Sequence, residues 1–109
     1  VNIQTTNELS VRDLLTPEKY ELSQNYPNPF NPKTNIKYEL PYNTHVTLYI
    51  YDIRGNYINT LIQQYQKSGS YMVLWSGLDK SGMQVSSGVY IYTLQAEKFY
   101  DSKKMIYLK

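Results

Sequence analysis

LSQNYPNPFNPKTNIKYEL, residues 22–40, is the stretch on which the reading of the whole chain turns. Pro27, Pro29 and Pro32 each lack a backbone donor and push the preceding residue toward extended geometry. Such a run cannot sit inside a helix or a central strand. Alternation follows at once. Thr34, Ile36, Tyr38 and Leu40 fall on one face and Asn35, Lys37 and Glu39 on the other, the period-2 pattern of a half-buried strand. The proline run thus marks a boundary, with a polar linker over residues 1–20 and a small β domain over residues 21–109.

Upstream of it the chain lacks sustained periodicity and carries Pro17; a short helical turn is expected at Ser10–Leu15, where Ser10 can cap and Asp13 sits three residues on. Downstream, strands are expected at Val46–Tyr51, Asn56–Ile62, Tyr71–Ser76, Met83–Val85, Val89–Leu94 and Lys98–Lys109. Asp52-Ile53-Arg54-Gly55 reads as a hairpin turn and Gly77–Gly82 as a second turn. Ile58 and Leu61 are spaced by three rather than two, which suggests a β-bulge in an edge strand. Short strands with turn signals about every 8–12 residues are the signature of an all-β fold, an immunoglobulin-like sandwich of about seven antiparallel strands. Two packed sheets need inward side chains from both. The expected core is Ile36, Tyr38, Leu40, Val46, Leu48, Ile50, Ile58, Leu61, Val73, Trp75, Tyr90, Tyr92, Leu94 and Ile106. Trp75, the single tryptophan, is its expected centre.

Composition narrows the function. With 109 residues the chain fits one domain, and no apolar run approaches the roughly 20 residues that span a bilayer. A net charge of +2 is too weak to argue for a nucleic-acid partner. Cysteine is absent, which excludes disulfides and thiolate chemistry. Thirteen tyrosines stand against two phenylalanines and one tryptophan, a bias that suits half-wet pleated surfaces. Because the sequence opens on Val1 with no leader after it, it reads as a piece of a longer precursor.

Residue types that carry chemistry are sparse. His45 is the single histidine; it begins a strand after a turn and reads as a surface residue. Asp52 and Asp79 fall in tight turns without the spaced oxygen ligands of a calcium loop, so turn chemistry accounts for both. Ser86-Ser87-Gly88 has no base placed by a motif nearby, and no G-x-S-x-G, phosphate-binding loop or G-x-G-x-x-G is present. No catalytic residue, metal site or cofactor is expected. Tyr49, Tyr51, Tyr57 and Tyr107 are expected on the surface, either as a sugar-stacking platform or as cross-strand pairs. Lys98, Lys103, Lys104 and Lys109 make the last strand basic, as an edge guarded against pairing or as a docking surface for an acidic partner.

Five segments in order, LSQNYPNPFNP, VTLYIYDIRG, YMVLWSGLDKSG, SSGVYIYTL and KKMIYLK, carry a resemblance. From about Leu22 to Lys109 the chain resembles the C-terminal sorting domains (type A) of the type IX secretion system, a family that overlaps with the Ig-like domain of the flagellar hook-capping protein. The resemblance implies a non-catalytic address label. Its partners would be an upstream cargo domain in the same precursor, an outer-membrane translocon and a sortase-like peptidase. The cargo would pass through the periplasm to be secreted or held at the cell surface, with cleavage ahead of the domain. The family's P-x-G-x-Y motif falls on Ser86–Tyr90: Gly88 and Tyr90 match, and Ser86 replaces the proline. Its lysine-containing terminal motif falls on Lys103 and Lys104, followed by Leu108 and Lys109. In this reading Gly88 lets the chain turn so that Tyr90 enters the core, and the open edge of the last strand is read by charge and strand addition. Two other readings compete. One is a hook-cap type structural or adhesive module, against which the stop after KMIYLK argues; the other is a carbohydrate-binding accessory module, which needs a coplanar aromatic row.

Overall fold

The alternation in residues 34–40 becomes the middle strand of a small sheet, and everything else is arranged around it. The computed structural model describes residues 15–109. Seven strands follow one another: β1 (Glu21–Leu22), β2 (Thr34–Leu40), β3 (Thr44–Asp52), β4 (Tyr57–Gln66), β5 (Gly69–Trp75), β6 (Gly88–Ala96) and β7 (Phe99–Tyr107). They pair antiparallel in two sheets, ordered β1-β2-β5 and β4-β3-β6-β7, as an Ig-like sandwich. The helical turn expected at Ser10–Leu15 falls, apart from Leu15, outside the described residues.

Inward side chains from both sheets make the core: Ile36, Tyr38 and Leu40 of β2, Val46, Leu48 and Ile50 of β3, and Tyr90, Tyr92 and Leu94 of β6, with Trp75 at the end of β5. Trp75 meets Tyr90 edge to face at 5.4 Å and donates its indole N–H to the Leu78 carbonyl at 2.9 Å. Buried tyrosines also bond across the core. The Tyr38 hydroxyl donates to Gln66 Oε1 at 2.6 Å, and that of Tyr92 to the Ser23 carbonyl at 2.6 Å. Burial pushes both phenols up to about 12, because the anion would lose its water.

Three expectations about the strands need correcting. Ile106 is not core: it is 39% exposed, while Met105 and Tyr107 are buried. The pairing of Tyr90 with Met105 and of Gly88 with Tyr107 sets odd-numbered residues of β7 inward, and a one-residue slip exchanges every side chain between faces. Tyr107, expected on the surface, is therefore interior. Met83–Val85 is not a strand but holds one bridge, Leu78 to Gln84, whereas the two-residue β1 was not foreseen. Ile58, Leu61 and Val73 pack against the core yet stay partly exposed, since β4 and β5 lie at sheet edges. The bulge expected in β4 is present, with register shifts against β3 at Leu48/Tyr49 and Ile50/Tyr51.

Candidate recognition surface on the last hairpin

All six residues singled out as a sorting signal lie on or directly beyond the β6–β7 hairpin. Gly88 opens β6 opposite Tyr107; Ile91 faces Lys104 and Tyr92 faces Lys103. Lys104 is exposed on the outer face, while Lys103 is half-buried at the rim of the inner one. Tyr90 points inward, so its part is structural; its hydroxyl donates to the Ser86 carbonyl at 2.7 Å. Burial and then the nearby Asp52 charge push the Tyr90 phenol up. Leu108 and Lys109 project into solvent, but the Lys109 amide donates to Ser87 Oγ at 2.7 Å. Gly88, Leu108 and Lys109 thereby gather at one end of the sandwich. Beside them a groove of about 380 Å³ is lined by Asp52, Arg54 and the run Ser86–Tyr90.

Gly88 does not make the turn ascribed to it. Its φ lies outside the left-handed region, and a Cβ there would meet nothing within 4 Å. What this glycine provides is bare backbone beside the groove. Gly77 is the sterically demanding position: its φ is +75°, and a Cβ would come 2.9 Å from Cζ of Tyr107.

The edge of β7 is not open along its second half. Residues 24–30, the proline run, lie against it as a strap. Gln24 Nε2 donates to the Lys104 carbonyl at 2.7 Å, and the Ile106 amide donates to Asn28 Oδ1 at 2.9 Å. The Phe30 amide donates to the Ile106 carbonyl at 2.9 Å, and the Leu108 amide to the Phe30 carbonyl at 3.1 Å. Phe30 is buried, stacked on Tyr107 at 4.9 Å and tilted against Trp75 at 5.7 Å. Inside the strap, Asn25 Nδ2 and Thr34 Oγ1 both donate to the Pro27 carbonyl, at 3.1 and 2.8 Å. Side chains thus supply the donors that the prolines lack. Strand addition over Lys104–Leu108, as expected from sequence, would first have to displace this strap.

The remaining candidates lie elsewhere in the fold. Asp52 and Asp79 head two copies of one turn, D-I-R-G-N and D-K-S-G-M. In each, the aspartate Oδ1 accepts from the amides two and four residues on, all at 2.9 Å. Bonds from Asn56 and Arg54 hold the Asp52 carboxyl below the usual range. Tyr49 and Tyr51 of β3 lie 43° apart and meet Tyr57 of β4 across the strands at 75° and 70°, so the cluster on the outer face is not a coplanar row. His45 is exposed. No cluster of three or more metal-ligating side chains occurs among the described residues, and none of their helices is long and apolar enough to cross a membrane.

Sequence reasoning overlooked Gln24, Asn28 and Phe30. Phe30, the one phenylalanine between the prolines and asparagines, was the available signal, since a wholly apolar ring in so polar a run needs somewhere to pack.

The geometry defines an Ig-like β-sandwich domain whose last strand is strapped by the segment before β2. More narrowly, the FlgD Ig-like domain description matches residues 28–99, and the chain belongs to that family. The match ends where β7 begins. In fold the chain is similar to dimeric latent PorU from Porphyromonas gingivalis, with TM-score 0.65 and 19% identity over 88% of this chain and 10% of that one. It is also similar to PorZ of the same organism, described as an essential bacterial surface component of the type-IX secretion system, with TM-score 0.56 and 20% identity over 79% and 11%. FlgD from P. aeruginosa has TM-score 0.55 and 24% identity over 68% and 57%. This chain therefore spans about a tenth of PorU and PorZ and little more than half of FlgD. No curated protein matches it.

Proposed function

We propose that the domain is a non-catalytic C-terminal secretion signal. It would direct an upstream cargo across the outer membrane by the type IX system, to be secreted or held at the cell surface. The observation that carries this reading is convergence: Gly88, Leu108 and Lys109 share one end of the sandwich with Lys104 on the adjoining face. That end offers a groove, bare glycine backbone and cationic side chains, features a partner protein reads without chemistry. The likeness in fold to PorU and PorZ supports the assignment. Because the strap occupies the edge of Lys104–Leu108, the partner reads side chains and the groove. Removal of the domain by a sortase-like peptidase would act upstream of Glu21.

The second reading, a structural Ig-like module of hook-cap type, is favoured by the family match over residues 28–99 and by the FlgD fold. One experiment separates them. Residues 21–109 are fused to a periplasm-directed fluorescent reporter in a type IX-competent host. Wild-type fusion is expected outside the cell. Gly88→Ala is expected to keep its melting temperature, since no strain opposes it, while the reporter stays in the periplasm. Retention of the wild-type reporter would overturn the secretion reading.

A further inference from the structure

Strand β5 ends its sheet with an edge that no described strand pairs with. In the order β1-β2-β5 it pairs on one side with β2, and among the described residues none of its backbone groups bonds elsewhere. Its residues, Gly69 to Trp75, include no charge and no proline. The other strands that border solvent are guarded. β7 carries lysines and the strap, β4 carries two register shifts, and β1 is two residues long.

Both faces of β5 are also left incomplete. On the outer face Met72 is 59% and Leu74 48% exposed, and Tyr26, beside Asn35 and in the same row as Leu74, is 79% exposed. On the inner face Tyr71 and Val73 pack against the core cluster but stay partly exposed. One added strand would cover all four β5 residues at once.

We infer that the occupant is a second copy of this chain, pairing β5 with β5 antiparallel about a two-fold axis at Val73. The charge pattern selects this occupant. An edge with no charged side chain offers nothing to recognise a charged foreign strand, and self-pairing brings no like charges together. Parity selects the register. With Val73 opposite Val73, Met72 of one copy faces Leu74 of the other on the outer side, and Tyr71 faces Trp75 on the inner side. Apolar meets apolar at every central position, and a closed isologous contact results. The two three-stranded sheets become one six-stranded sheet. This inference does not depend on the secretion reading.

Sedimentation of the 109-residue chain over a concentration series tests it. The mass is expected to rise from one chain toward two. Leu74→Lys and Met72→Lys, both at exposed outward positions, should each return it to one chain with the melting temperature retained, while Ile106→Lys on the β7 edge should leave the dimer intact. As the chain has no cysteine, an equimolar mixture of Met72→Cys and Leu74→Cys chains should oxidise to a mixed dimer faster than either alone. A single chain at every concentration, or a dimer that survives both β5 lysines, would overturn the proposal.

Discussion

The β7 and β5 edges belong to different sheets of one small sandwich and meet solvent in opposite ways. Along β7, from Lys104 to Leu108, backbone groups are taken by Gln24, Asn28 and Phe30, and the outward side chains are mixed in character. Along the outer side of β5 no described residue takes them, and the exposed outward side chains are Met72 and Leu74. The difference shows that the protection of the β7 edge comes in part from outside the strand. Seven residues of β5 and nine of β7 have the backbone groups to pair, and beyond the lysines of β7 what separates them is a segment of prolines and asparagines that lies against one and not the other. Besides its hydrogen bonds to β7 the strap buries one ring, that of Phe30, so the comparison can be broken most forcefully there.

Phe30→Ala should have the largest effect, about 3–5 kcal/mol, because it empties a site between Trp75 and Tyr107 and frees the strap together. Denaturant unfolding checks it; a loss under about 1 kcal/mol would mean the strap is not part of the fold. A second way in is alkali. Tyr38 and Tyr92 are held to about 12 when folded against about 10 in the free chain, so the stability they carry is whole below pH ~10 and is lost as the pH rises toward 12. Melting curves from pH 9 to 12 should show that decline; a flat profile would contradict their burial. Gly77→Ala should cost about 1–3 kcal/mol, because it strains a left-handed residue and presses a methyl group on Tyr107, the strap's other neighbour. Asn28→Ala, at about 0.5–1.5 kcal/mol, sharpens the comparison by making part of β7 resemble β5: the Ile106 amide should exchange faster while amides of β3 do not. Smallest is a gain. Glu97 holds φ +52° in the β6–β7 turn, and Glu97→Gly should raise stability by under about 1 kcal/mol.

Much of this architecture is legible in the residues. Alternation in β2 and β3 specified both the strands and their inward faces, and the spacing of Ile58 and Leu61 disclosed a bulge. β7 misled because Met105, Ile106 and Tyr107 are all apolar, so either parity fits a strand that buries one side; pairing with β6 decides it. Phe30 escaped notice because its burial depends on contacts with residues 45 and 77 positions away, which local pattern cannot supply. The candidate surface was legible as a list of residues, but not as a place. That Gly88 and Lys109 meet follows from hairpin register and from Ser87, and that Gly88 is roomy rather than strained is a property of its surroundings.

The bridge between Phe30 and Tyr107 is parallel, whereas every ladder in the two sheets is antiparallel. Tension applied between the two ends of the domain would therefore load the contacts of Gln24, Asn28 and Phe30 in shear, so that they resist together rather than unzip in turn. A domain pulled by its two ends would meet mechanical resistance at that clasp.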